Sequence, residues 1–567
     1  MNTKIIIYQL LVRLAGNTHT NIKPWGTIQE NGCGKFGDLD KQFLQKVKEF
    51  GATHIWFTGV LEHASCSAYP EQGIHGDNPL VVKGRAGSPY AIKDYFDVCP
   101  DLARNPATRM AEFESLLERC HYTGLKAIID FVPNHVARKY DCDQEAGKEY
   151  RFGAGDQTDK AFHKDNNFYY LPGEKLKLPD EVYSLPTSRE NNTHNFSEDP
   201  AKATGNDCFS STPSYNDWYE TVKLNYGVNI HDGGSRHFDP LPDTWRIMHG
   251  IVRFWASKGV DGFRCDMAEM VPAEFWQWMI AKVKQEFPNL VFIAEIYNPD
   301  AYRSYHQAGF DFLYDKVGFY NTLKDVMLGA PAGRITTVWQ SLGGMDDAML
   351  RFLENHDEER IASHHFAGNA QAGIPAMAVA ATMNKGPLMV YFGQETGEKA
   401  EGSSGFSGDD GKTTIFDYGR VPSFQKWYNH GNCNEEKLSR EEQKIRQQYR
   451  QILQVCKEEV FVRGHFYDLM WANTGSHPCL YAFLRWTKKQ VALVAANFSH
   501  TDAVEARISI PGHFLQLMAP EKTKLYLSSE TDHKPLQQTT WDSIMQHGIN
   551  IVLDPMAYAI IELTHSE

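Results

Sequence analysis

Short apolar runs alternate along most of the chain with segments whose apolar residues recur at helical spacing. The run "KIIIYQLLVR" reads as a strand; Phe43, Val47 and Phe50 then share one helical face, and Gly51 ends that helix. "ATHIWFTGV" and "LKAIIDFV" are the next strands, separated by a helix carrying Met110, Phe113, Leu117 and Cys120 and ended by Gly124. After a polar, turn-rich stretch the order resumes. Ile247, Ile251, Phe254 and Trp255 mark a helix, "VDGFRCD" a strand, "PAEFWQWMIAKVKQEF" a helix and "NLVFIAEI" a strand, while "GFDFLYD", "AMLRFLEN" and "PLMVYFG" complete a set of eight strands. Repeated βα units of this kind predict a parallel sheet, and eight of them a closed (β/α)8 TIM barrel.

Two stretches fall outside that rhythm. Residues 137–228 lack sustained periodicity and contain "RENNTHNFSEDPAKATGND", so a small inserted domain or lid is expected after the third strand. A helix near Ser439 to Lys457 opens with the capping box Ser439-x-x-Glu442 and buries Ile445, Tyr449, Ile452 and Leu453. Beyond it the texture changes to strands only, as in "CLYAFLRW", "VALVAANF", "EARISI" and "INIVLDPMAYAIIEL", predicting a C-terminal antiparallel β-sandwich. The expected division is 1–136 with 229–458 for the barrel, 137–228 for the insertion and 459–567 for the sandwich.

Composition narrows the partners. At 567 residues, 42% hydrophobic and 23% charged, the chain has ample material for a core, and its net charge of −14 with no basic block argues against a nucleic-acid or anionic-membrane partner. Ten cysteines occur without a CxxC pair, which excludes a zinc ribbon and fits small buried thiols in a reducing compartment. Gln9 and Arg13 interrupt the first apolar run, so it reads as a strand rather than a signal peptide. No stretch has the uncharged length of a membrane span. A cytoplasmic location is expected; the oligomeric state is left open.

A barrel builds its active site at the C-terminal ends of its strands, and four of those ends carry polar groups. They are Asp130, Asn134 and His135; Arg264 and Asp266; Glu295; and Asn355, His356, Asp357 and Arg360. A purely organising ion pair explains them poorly, because buried ion pairs stabilise less than apolar packing. Residues two apart on a strand share a face, so Arg264 and Asp266 point together into the barrel mouth while Cys265 packs outward. The arginine is expected to hold Asp266 ionised as a nucleophile, and the apolar residues around Glu295 to raise its pKa and keep it protonated as an acid. Such a pair suits retaining glycoside hydrolysis, with Asp357 stabilising the positively charged transition state. A metal-dependent barrel hydrolase is the competing reading, but the first strand offers Tyr8 and Gln9 where such enzymes place histidines. His135 and His356, single residues on different strands, fit satisfied core groups as well as ligands.

"DFVPNH", "GFRCDMAEM", "FIAEI" and "FLENHD" resemble, in order, the four conserved regions of the α-amylase family of retaining α-glucan glycoside hydrolases. "LNYG" near Asn225 resembles that family's further motif at the end of the inserted domain, and "GPLMVYFGQE" its eighth strand. The resemblance implies Asp266 as nucleophile, Glu295 as acid/base and Asp357 as transition-state stabiliser. It also implies Arg264, His135 and His356 as hydrogen-bond partners of the sugar, with Tyr90 of "GSPYAIKDY" stacking on its ring. No cofactor is required for that chemistry. Asn134 matches a residue that in many members binds a structural calcium between barrel and insertion. Glu269 and Met270 stand where many starch-cleaving members have lysine and histidine, so calcium is allowed rather than required and the leaving-group side is left open. The expected substrates are maltooligosaccharides, cyclodextrins or related α-glucans cleaved at α-1,4 bonds. A transglycosylase or isomerase using the same carboxylates is the alternative, and a non-catalytic glucan-binding relative a further one.

Overall fold

The computed structural model describes residues 3–142, 147, 149–190, 195–475, 477–518, 524–529 and 538–565. The centre of the polar stretch, residues 191–194, lies outside them. Eight parallel strands form one sheet: β1 (Ile6–Leu11), β2 (His54–Thr58), β3 (Lys126–Phe131), β4 (Gly262–Cys265), β5 (Val291–Ala294), β6 (Phe312–Tyr314), β7 (Met349–Leu350) and β8 (Leu388–Tyr391). The sheet closes because Arg351 N donates to Pro387 O at 3.1 Å and Met389 N to Arg351 O at 2.9 Å, joining β7 to β8. The first apolar run is thus a barrel strand, pairing with both β8 and β2. The run "AMLRFLEN" supplies only the two-residue β7, because the chain turns away once Arg351 has made the closing bridge.

Helices follow the strands: α1 (Lys41–Phe50), α2 (Arg109–Thr123), α3 (Asp243–Ser257), α4 (Ala273–Glu286), α5 (Tyr302–Gln307), α6 (Arg334–Ser341), α7 (Gly373–Thr382) and α8 (Arg440–Val455). Their boundaries have local causes. Asp40 accepts a hydrogen bond from Phe43 N at the start of α1, and Ser439 and Glu442 exchange bonds at the start of α8. Helix α7, "GIPAMAVAAT", is buried along its whole length because it packs between α8 and the C-terminal sheet.

Period-two alternation divides the barrel interior into two levels. Ile7, Trp56, Ile128, Ile293, Phe312 and Met389 form an apolar floor. One pleat further along the strands, or at their ends, stand Gln9, Asp130, Arg264 and Glu295. Register places Arg264 beside Asp130.

The insertion after β3 begins with strand His135–Ala137, which pairs antiparallel with Thr221–Lys223, and it has its own core of Leu176, Leu178, Val182, Ala201 and Tyr219 against Leu80 and Val81. C-terminal to α8, a six-stranded antiparallel sheet packs against a two-stranded ribbon, Val504–Ile508 with Ile549–Leu553. This region is not strands alone. Helices Gly512–Met518 and Trp541–His547 lie within it, each donating apolar residues (Phe514, Trp541, Ile544) to the sandwich core. No helix among the described residues is long and apolar enough to cross a membrane.

Candidate active site

A cavity of about 310 Å³ opens at the C-terminal ends of the strands, lined by Tyr90, His135, Asp266, Glu295, Tyr297 and Asp357 together with Lys83, Ser88, Trp218, Glu220, Thr221, Met267, Ile415 and Phe416. Five of the seven residues expected in the site therefore face one space. Arg264 and His356 lie beneath it, both buried. Nη1 of Arg264 donates to Asp266 Oδ1 at 2.7 Å, and Nη2 lies 2.5 Å from Glu295 Oε1, so one guanidinium bridges the two carboxyl groups. It also approaches Asp130 Oδ1 at 3.4 Å and lies 5.3 to 5.6 Å from the ring centres of Trp56, Tyr90 and Tyr314. The other Asp266 oxygen, Oδ2, has no partner among the described residues.

Glu295 does not face the apolar wall expected of it. Oε2 accepts from Met267 N at 2.8 Å, in a turn where Met267 takes φ 43°, and Oε1 accepts from the Tyr297 hydroxyl at 2.6 Å. Tyr297 went unnoticed in the sequence, although the same two-residue spacing that joins Arg264 to Asp266 joins it to Glu295. Glu269 is accounted for as well: its two oxygens accept from Tyr297 N and Asn298 N, both at 3.0 Å, fixing the backbone just beyond Glu295. Asp357 is at the rim with its side chain 39% exposed, 3.1 Å from His356 Nε2. Arg360, expected near it, turns away to Glu354 at 2.9 Å and Thr413 at 2.8 Å.

Arg264 acts on Asp266 in the expected direction, lowering its pKa through charge and hydrogen bond, but it is outweighed. Burial pushes the Asp266 carboxyl well above the usual range; Arg264 opposes this, but the Glu295 and Asp130 carboxylates reinforce it. Several acids share a single cation, so their protons belong to the group rather than to one member. Burial raises Asp130 to about 6, again against Arg264. Burial also lowers His135 to about 3, with Lys223 and Lys83 adding to the effect, and lowers His356 strongly, so both histidines are neutral hydrogen-bonding groups. His356 is held by Gln9 Nε2 at 2.8 Å and the Tyr90 hydroxyl at 2.5 Å, with the Tyr90 ring stacked on it. Cys265 is buried in the layer between strands and helices, where burial raises its thiol pKa and leaves it inert.

Residues 27–464 match the family model for the catalytic domain of α-amylase. The chain belongs to the α-amylase family. It is 26% identical over 368 residues to an α-amylase (MalA) of Haloarcula japonica, covering 63% of this chain and 40% of that protein. It is 29% identical over 122 residues to an α-1,4-glucan:maltose-1-phosphate maltosyltransferase of Cereibacter sphaeroides, covering 20% of each. The chain thus spans less than half the length of these curated relatives. In structure it resembles the α-amylase of Geobacillus thermoleovorans in complex with acarbose, with a TM-score of 0.62 at 18% identity, covering 100% of this chain and 99% of that one.

In this member of the α-amylase family, the residues around Asn134 do not fit a bound calcium. Asn134 Oδ1 accepts from the Lys223 ammonium, which also reaches Asp207 Oδ1 at 2.7 Å and Met270 O at 3.2 Å. The oxygens a calcium would use are already satisfied by a side-chain cation. Elsewhere among the described residues, the exposed group His364, His365 and Asp409 brings three metal-ligating atoms within 4.8 Å of one another.

Proposed function

We propose that the chain is a retaining glycosidase acting on α-1,4-linked glucose chains, with maltooligosaccharides or cyclodextrins as substrates. One observation carries this reading: Asp266 has one oxygen pinned by Arg264 and the other unpartnered beside the cavity, while the same guanidinium reaches Glu295. A single guanidinium spanning both carboxyls favours the roughly 5 to 5.5 Å spacing of retaining pairs over the wider spacing of inverting ones. In the first step, with the proton the acids share residing on Glu295, Asp266 Oδ2 bonds to the anomeric carbon as the glycosidic C–O bond breaks, and Glu295 gives that proton to the departing oxygen. Water then attacks the same carbon, its proton returns to Glu295, and the Asp266 ester bond breaks. Asp357 at the rim stabilises the positive charge on the ring in both transition states. Neutral His135 on the cavity wall holds the sugar hydroxyls, Tyr90 lies against the ring face, and Arg264 and neutral His356 hold Asp266 and Tyr90 in place from beneath.

The same intermediate can pass to a sugar hydroxyl instead of water, and the resemblance to a maltosyltransferase keeps that reading in view. Maltoheptaose separates the two, because products longer than the substrate indicate transfer and shorter ones alone indicate hydrolysis. The retaining assignment is tested by the anomeric configuration of newly formed ends, expected to be α at first appearance. Glu295→Gln is expected to lower kcat by about 10²- to 10⁴-fold. Full activity in both Asp266→Asn and Glu295→Gln would sink the assignment, and loss of activity in a zinc chelator would favour a metal hydrolase instead. All ten cysteines are free thiols, in keeping with a reducing compartment such as the cytoplasm.

A further inference from the structure

We propose that Lys223 is a built-in cation that takes the place of a structural metal between the barrel and the inserted domain. An ammonium has three donors and no acceptor. Here the three oxygens around it come from three parts of the chain: Asn134 Oδ1 just beyond β3, Met270 O in the turn beyond β4, and Asp207 Oδ1 in the insertion, the last at 2.7 Å. The Lys223 side chain is only 8% exposed, so its charge needs those oxygens. Calcium needs six to eight oxygens at about 2.3 to 2.6 Å. A cation with three ligands, one of them a carbonyl at 3.2 Å, is matched by an ammonium and not by calcium.

The position also has consequences for the site. Lys223 is the register partner of His135 on the strand pair that begins the insertion. Met270 lies three residues beyond Met267, whose N–H is bonded to Glu295. One ammonium thus ties together the two loops that bring His135 and Met267 to the cavity. Being part of the chain, it cannot dissociate or be chelated.

The test is independent of the proposed glycosidase activity, because it reads unfolding and calcium binding. The thermal midpoint of the unmutated chain is expected to be the same in excess calcium and in chelator. Lys223→Met, which removes the ammonium but keeps most of the stem, is expected to lower the midpoint by several degrees and to speed proteolysis within residues 137–228. A calcium-dependent rise in the unmutated chain that disappears in Asn134→Ala overturns the proposal. So does a Lys223→Met variant with an unchanged midpoint. Should that variant not fold, the calcium titration of the unmutated chain still decides.

Discussion

Replacing Arg264 with methionine removes the only cation found at the shared contact of Asp266, Glu295 and Asp130 among the described residues. Methionine keeps the aliphatic stem but removes the guanidinium that faces Trp56, Tyr90 and Tyr314. Breaking one buried ion pair costs about 3 to 5 kcal/mol, because the abandoned partner stays buried and unpaired. With three carboxyls left behind, the upper part of that range applies near neutral pH. The loss can be relieved by protons. Asp130 already titrates at about 6 against an ordinary 3.8, a displacement that corresponds to about 3 kcal/mol. A carboxyl whose folded pKa is raised supports folding fully below the unfolded value and loses that support as pH rises through the folded value. Removing Arg264 raises Asp130 and Asp266 further and extends the window upward. The stability deficit of Arg264→Met is therefore expected to be largest near pH 8 and to shrink towards pH 5. A cooperative unit of several hundred residues moves only about 1 °C per kcal/mol, so the fall in midpoint is about 3 to 5 °C at pH 8. Calorimetric scans of both proteins from pH 5 to 8 measure it. A deficit that is the same at every pH would mean that Arg264 acts through packing, and the electrostatic account would fail.

Tyr297→Phe keeps the ring and removes the 2.6 Å bond to Glu295; such a hydrogen bond is worth about 0.5 to 1.5 kcal/mol, so kcat is expected to fall about twofold to tenfold while the thermal midpoint falls by no more than about 2 °C. An unchanged kcat would show that this bond does not position the acid. Glu269→Gln leaves one oxygen for two backbone donors and is expected to lower kcat about tenfold while KM for maltotriose stays within about twofold. Ser439→Ala opens the capping box of α8 and is expected to cost about 1 kcal/mol by urea unfolding with no change in kcat, because neither Ser439 nor Glu442 lines the cavity.

What the sequence reveals and what it hides divide along a physical line. Alternation along a strand is local, so "GFRCD" by itself places Arg264 and Asp266 in the mouth and Cys265 against the helices. The strand order then brings Asp130 beside Arg264 without further information. The same local rule reaches Tyr297 from Glu295 once the strand direction is carried three residues past Ala294. Charge balance is different, since it depends on how many acids surround one guanidinium. The contact between Arg264 and Asp266 is a two-residue fact, whereas the raised pKa of Asp266 comes first from burial in the closed barrel and then from Glu295 just beyond β5 and Asp130 on β3. Lys223 lies further still from local reading. Nothing between Thr221 and Leu224 marks a cation site, and the side chain acquires one only when its strand pairs with His135–Ala137 and Asp207 closes over it. Asn134 was legible as a cation ligand only through the family resemblance of "DFVPNH", which its amide oxygen suits. The identity of the cation was not, because sequence spacing cannot tell a calcium from an ammonium delivered by another strand.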